Sequence, residues 1–140
     1  MLPRKPAGRV DERTVSSAVD LFPSVCALAG AKPPDALFDG EDVSAAWFGK
    51  ALTRAKPLFW EYGRNTQAFK YPAGRDRSPN VAVRDGQWKL LVNADGTQAE
   101  LYDLEQDVQE TCNLVAQEQA VAARLRQLAL DWRHGLSELP

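Results

Sequence analysis

Apolar residues recur along this chain in two rhythms. Between residues 18 and 30 the spacing is helical, with Leu21, Val25 and Leu28 on one face. Asp20 stands where an N-cap belongs, and Pro23 falls in the first turn, where its missing N–H costs little. Gly30 occupies the C-cap position, and Pro33-Pro34 blocks continuation. Residues 31–56 predict a loop with one short helix carrying Val43, Trp47 and Phe48. Asp39-Gly40 marks a turn within it, Asp42 or Ser44 is the expected cap, and Gly49 the expected end.

The second rhythm alternates. Leu58-Phe59-Trp60-Glu61-Tyr62 is aromatic-rich and strand-like. Val81-Ala82-Val83-Arg84 and Gln87-Trp88-Lys89-Leu90-Leu91-Val92 flank Asp85-Gly86, which predicts a hairpin with a type I′ turn centred on Asp85 and Gly86. Trp88, Leu90 and Val92 share one face, and Lys89 takes the other. A turn at Asp95-Gly96 and a strand over Ala99–Leu104 complete a meander, to which residues 58–62 add a fourth strand. After a polar connection over 105–113, the pattern predicts a helix over about 117–133. Val121, Leu125, Leu128 and Trp132 form its apolar stripe, and Gly135 is its stop. A sheet with one apolar face needs a cover, and this helix supplies it. The expected fold is therefore α+β, a small antiparallel sheet of about four strands packed by a long C-terminal amphipathic helix.

Charge narrows the function classes. The formal net charge is -2, so no strong overall field draws the chain to nucleic acid or to an anionic membrane. No apolar run of about 18 residues predicts a membrane span. The basic start, Met1 to Arg9, is followed by no apolar stretch and does not read as a signal peptide.

Candidate chemistry is sparse. No phosphate-binding glycine loop and no nucleophile elbow occurs, and Ser24 and Ser78 have no nearby histidine. Cys26 and Cys112 read as buried or half-buried thiols, with a single bridge between them left open. His134 has no histidine or cysteine neighbour in sequence and reads as a surface residue at a helix end. The acidic groups Asp39/Glu41/Asp42 and Asp103/Glu105/Asp107/Glu110 lack calcium-loop spacing and read as solvated turn residues. The long polar loop over 63–79 carries Arg64, Lys70, Arg75 and Arg77 interleaved with Phe69 and Tyr71. It reads either as a contact for an anionic ligand such as a sulfated sugar, or as a charged surface loop.

Three short motifs are more specific in combination. Ser16-Ser17-x-x-Asp20-Leu21-Phe22-Pro23-Ser24, then Leu28-Ala29-Gly30, resembles the S-x-x-D-L-x-P-T-x-x-x-L-A-G segment of type I sulfatases, with Ser24 in place of Thr. Asp39-Gly40 resembles the D-G that follows. Ala82 through Leu90 resembles the family's A-V-R-x-G-x-W-K-L strand pair. Glu100-Leu101-Tyr102-Asp103-Leu104, with Asp107, Glu110 and Asn113-Leu114, is similar to its E-L-Y-D-L-x-x-D-P-x-E-x-x-N-L stretch, with Val108 in place of Pro.

This resemblance implies the C-terminal region of an alkaline-phosphatase-like sulfatase. Residues 1–56 would be the helix-and-loop tail of its large α/β domain, and residues 57–140 its C-terminal subdomain. It implies a sulfuric ester hydrolase whose nucleophile lies in C/S-x-P-x-R and is oxidised to formylglycine. Neither Cys26-Ala27-Leu28 nor Cys112-Asn113-Leu114 matches that motif. No catalytic or metal residue carries over, and calcium and formylglycine are expected only in a full-length parent. The implied partners are a missing N-terminal sulfatase domain and, through the parent, a sulfated small molecule or glycan. The parent family is often periplasmic or secreted. Without the large domain, Leu21, Phe22, Val25 and Leu28 are expected to be partly exposed. The alternative from another class is a free-standing binding module that uses the 63–79 loop.

Overall fold

The computed structural model describes residue 8 and residues 10–62 and 77–136. The chain divides into two units, Met1–Lys56 and Pro57–Pro140.

In the first unit a 3-10 turn, Ala18–Asp20, leads directly into helix α1, Leu21–Ala29. Gly30 ends α1 in the left-handed conformation at φ 65°, and Ala31 N–H closes back on the Cys26 carbonyl at 2.9 Å. Asp20 does occupy the N-cap position of α1, but its carboxylate makes no cap bond there. Stronger partners elsewhere claim it, as described below. Helix α2 is a single turn, Ser44–Trp47. Val43 sits at its N-cap position, and the Asp42 carboxylate accepts Ser44 N–H at 2.8 Å. Gly49, at φ 95°, follows its last turn.

The second unit is a four-stranded antiparallel sheet in the order β1-β2-β3-β4. The strands are β1 Leu58–Glu61, β2 Val81–Asp85, β3 Trp88–Val92 and β4 Glu100–Asp103. Helix α3, Gln119–His134, follows. The sheet, the helix and their order agree with the sequence pattern. One row of facing residues, Phe59, Val83, Leu90 and Leu101, crosses all four strands. Val83, Leu90 and Leu101 join Val81, Val92, Leu125 and Ala129 in a fully buried core.

Helix α3 differs in detail from the predicted stripe. Its most buried positions are Ala122, Leu125 and Ala129, while Val121, Leu128 and Trp132 pack around them. Two alanines bring the helix axis close to the sheet, and Leu125 fills the space between them. Phe59 and Trp132 stack with ring centres 5.0 Å apart and planes 8° from parallel. Gly135 ends the helix in the ordinary right-handed region at φ -75°, so it needs no left-handed cap.

The hairpin turn corrects the expectation. Asp85 pairs with Trp88, which leaves Gly86 and Gln87 as the two central residues. Of these only Gly86 has positive φ, at 60°. A glycine with positive φ at the first central position alone fits type II′, so the Asp-Gly pair is shifted one place from the I′ pattern. Asp85 instead ends its strand and pairs with Arg124 of α3 at 2.7 Å.

Candidate functional site

In the first unit, Asp20 is the centre of the leading motif. It is 1% exposed. Its Oδ2 accepts Ser17 N–H at 2.8 Å and Arg54 Nη1 at 2.6 Å, and its Oδ1 accepts Glu41 N–H at 3.0 Å. Burial pushes this carboxyl up, but the bonds from Arg54, Glu41 and Ser17 outweigh it and hold it below its ordinary value. Two residues before Lys56, Arg54 Nε donates to the Lys56 carbonyl, while Lys56 Nζ donates to the carbonyls of Phe38 and Gly40. Glu41 accepts the N–H groups of Ala55 and Lys56.

The second motif position, Ser24, is fully buried on α1, and its Oγ accepts Val43 N–H at 2.9 Å. Gly40 completes the arrangement. A Cβ there would lie 2.0 Å from the Val19 carbonyl oxygen, so only glycine allows the loop this close to the turn before α1. The S-x-x-D…S…D-G pattern is therefore a clamp. It fixes residues 40–43 against the polar side of α1.

The motif in the second unit has the same character. Asp103 is buried, and accepts Gln87 Nε2 at 2.9 Å and Glu105 N–H at 3.0 Å. Asp107 accepts the N–H groups of Cys112 and Thr111 at 2.8 and 2.7 Å, and the first of these holds its carboxyl below the ordinary range. Glu110 pairs with Lys89 at 2.6 Å. Asn113 Oδ1 accepts Leu101 N–H at 3.1 Å, and Leu114 N–H donates to the Leu101 carbonyl at 2.8 Å. The Asp103 carbonyl accepts Asp107 N–H at 2.8 Å. Tyr102 donates to Glu100, and burial together with that carboxylate pushes its phenol up to about 12.

These contacts change the reading of the acidic clusters. Asp103, Asp107 and Glu41 tie backbone turns together, and Glu110 pairs with the Lys89 side chain; they are not simply solvated. Among the described residues no three of His, Cys, Asp and Glu gather where they could hold a metal ion. The motif carboxylates already spend their oxygens on backbone N–H donors, Gln87, Lys89 and Arg54, so the described residues do not fit a calcium site.

Arg77 is exposed, whereas Arg64, Lys70 and Arg75 lie outside the described residues. Cys26 is a half-buried free thiol and Cys112 an exposed one, so the second is not the buried thiol expected. His134 is exposed in the last turn of α3. Sequence reasoning missed Arg54 and Asn113 as organising residues. Arg54 lies 34 positions from Asp20, beyond any local pattern.

The chain matches, over residues 1–133, the family described as N-sulphoglucosamine sulphohydrolase, C-terminal. Arylsulfatase G of Rattus norvegicus is 49% identical over 57 residues, 37% of this chain and 11% of that protein. Arylsulfatase G of Mus musculus is 47% identical over the same length. A putative sulfatase from Bacteroides thetaiotaomicron superposes with a TM-score of 0.60 at 25% identity, over 82% of this chain and 24% of that one. Ps i-CgsB, solved with k-i-k-neocarrahexaose, shares the fold with a TM-score of 0.62 at 24% identity, over 85% of this chain and 24% of that one. The chain thus spans about a tenth of the curated relatives and about a quarter of the solved structures it matches.

Proposed function

Because the chain belongs to the N-sulphoglucosamine sulphohydrolase C-terminal family, we infer that it completes the fold of a sulfuric ester hydrolase, edges that enzyme's substrate pocket, and hydrolyses nothing alone. The observation that carries this reading is how the motif residues are used. Asp20, Ser24, Gly40, Asp103, Asp107 and Asn113 all hold backbone in place, so the motif residues have a structural use. The sequence carries no C/S-x-P-x-R segment; in this reading the formylglycine nucleophile and the calcium ion would be supplied by the rest of the sulfatase. The substrate class that goes with this role is a sulfated small molecule or glycan, gripped mainly by the larger part.

The test is a pair of assays with a chromogenic aryl sulfate. The purified 140-residue chain releases no sulfate. The same chain translated in one frame with an upstream segment encoding C/S-x-P-x-R releases it. Sulfate release by the isolated chain overturns the reading.

A further inference from the structure

Three Asp-Gly pairs occur in the chain, at 39–40, 85–86 and 95–96. At such a pair the amide nitrogen that follows the aspartate can attack that aspartate's own carboxyl carbon, and glycine, having no Cβ, leaves the approach open. The attack needs a carboxyl that can take up a proton, an amide not held by another bond, and room for the backbone to turn. The fold grants these unequally. At 39–40, Gly40 is buried, and a Cβ there would lie 2.0 Å from the Val19 carbonyl oxygen. Lys56 Nζ also holds the Phe38 and Gly40 carbonyls at 2.7 and 3.2 Å, so the backbone on either side of Asp39 is pinned. At 95–96, Gly96 N–H already donates to the Asn93 carbonyl at 2.8 Å. The Thr97 hydroxyl and N–H bond to Asp95 Oδ1 at 2.6 and 2.9 Å and hold that carboxyl below its ordinary value.

Asp85-Gly86 is the least restrained of the three. Gly86 is exposed at the tip of the β2–β3 hairpin, with nothing within 4 Å of the place a Cβ would take. Arg84 Nε reaches its carbonyl at 3.2 Å, but among the described residues nothing accepts its N–H. One contact holds the carboxylate: Arg124 Nη1 lies 2.7 Å from Asp85 Oδ2, with the two side chains 55% and 33% exposed. We propose that Asp85-Gly86 is the chain's site of spontaneous aspartate isomerisation, and that Arg124 is the residue that slows it. The Gly86 nitrogen bonds to Cγ of the protonated Asp85 carboxyl. The Cγ–OH bond breaks, and the hydroxyl leaves with the amide proton as water, closing a five-membered succinimide. Water then opens the ring. Addition at Cγ restores aspartate; addition at the main-chain carbonyl breaks its bond to the Gly86 nitrogen and leaves isoaspartate, with the chain running through Cβ and Cγ. Water is the only co-reactant. The product lengthens the backbone of the hairpin turn by one carbon and takes the carboxylate away from Arg124 of α3.

The experiment incubates the full chain at neutral pH in water enriched in oxygen-18, once folded and once in guanidinium chloride. Each ring opening adds one heavy oxygen, so mass spectrometry of the separated peptides counts passages through the succinimide at each pair. In guanidinium all three pairs should convert. In the folded chain the peptide with Asp85 should gain the most isoaspartate, and its slowing relative to the denatured chain should be the smallest of the three. Arg124→Ala should speed conversion at Asp85 about 2–5-fold, the size an exposed ion pair supports, and leave the other two pairs unchanged. Gly86→Ala should suppress conversion there. Smaller slowing at Asp39 or Asp95 than at Asp85 overturns the proposal. An unchanged rate at Asp85 in Arg124→Ala overturns the role of Arg124, and so does an equal rise at all three pairs, which reports a loosened fold instead.

Discussion

Asp20 and Arg54 meet at 2.6 Å with their side chains 1% and 5% exposed, 34 residues apart in sequence. Two buried charges this close are costly to separate, because the survivor has no water to replace its partner. The arginine is the less well served of the two: its Nη2 is buried with no hydrogen-bond partner. Asp20→Ala should destabilise the first unit by about 3–5 kcal/mol, and Arg54→Met by less, since it leaves a carboxylate that still accepts two backbone N–H groups. Urea titration followed by circular dichroism checks both; a loss under about 1 kcal/mol for Asp20→Ala would contradict the clamp.

The same carboxylate sets an acid limit. Its folded value lies below the ordinary 3.8, so its contribution is present above that pH and lost as pH falls through the folded value. Melting temperatures measured from pH 6 down to 2 should fall for the native chain below about pH 4. Asp20→Asn should be less stable at pH 6 and should lack that part of the fall.

Gly40→Ala tests the close approach of loop and turn. The added carbon would meet the Val19 carbonyl at 2.0 Å, and that atom is backbone, so the loop must move. A cost of about 1–3 kcal/mol is expected. Gly86→Ala serves as the contrast. Nothing lies within 4 Å of its Cβ, and only the strain of φ +60° is paid, about 1 kcal/mol.

In the second unit, Leu125→Ala should cost about 2–5 kcal/mol, because it empties the centre of the core. Ala129→Leu should cost about 1–3 kcal/mol by forcing α3 off the sheet. Shifts in urea midpoint report both, and a neutral Ala129→Leu would refute the close helix–sheet packing.

Tyr102 gives a spectroscopic marker. Its phenol is raised from 10.0 to about 12. The stability it contributes is therefore complete below pH 10 and lost as pH rises through about 12. An alkaline absorbance titration of the native chain should show a step near pH 12 that is missing in Tyr102→Phe.

Periodicity carried the architecture. The alternation of Val81, Val83, Leu90 and Val92, and the helical spacing around Leu125, are signals within a few residues, and they placed the sheet and α3. What stayed hidden depended on partners distant in sequence. Asp20 reads as a helix cap because that is the commonest local use of the residue; only the fold reveals Arg54 and the Glu41 N–H as its partners. The hairpin turn was misplaced by one residue, because Asp-Gly marks a turn without saying which residue ends the strand. The acidic clusters looked solvated since nothing in their spacing shows that Asp103 and Asp107 face backbone N–H groups. The motif resemblance located these residues without saying what they do, and their hydrogen bonds supply that.

The bonds from Asn113, Leu114 and Asp107 to β4 have a consequence for the chain while it is alone. An edge strand offers its free N–H and C=O groups to any other extended chain, and this is how sheets grow from one molecule to the next. On β4 the Leu101 N–H, the Leu101 carbonyl and the Asp103 carbonyl are already taken by residues that follow in the same chain. An incoming strand would have to displace these bonds to pair along β4. The segment after β4 thus acts as a built-in guard against amyloid-like growth from that side of the sheet.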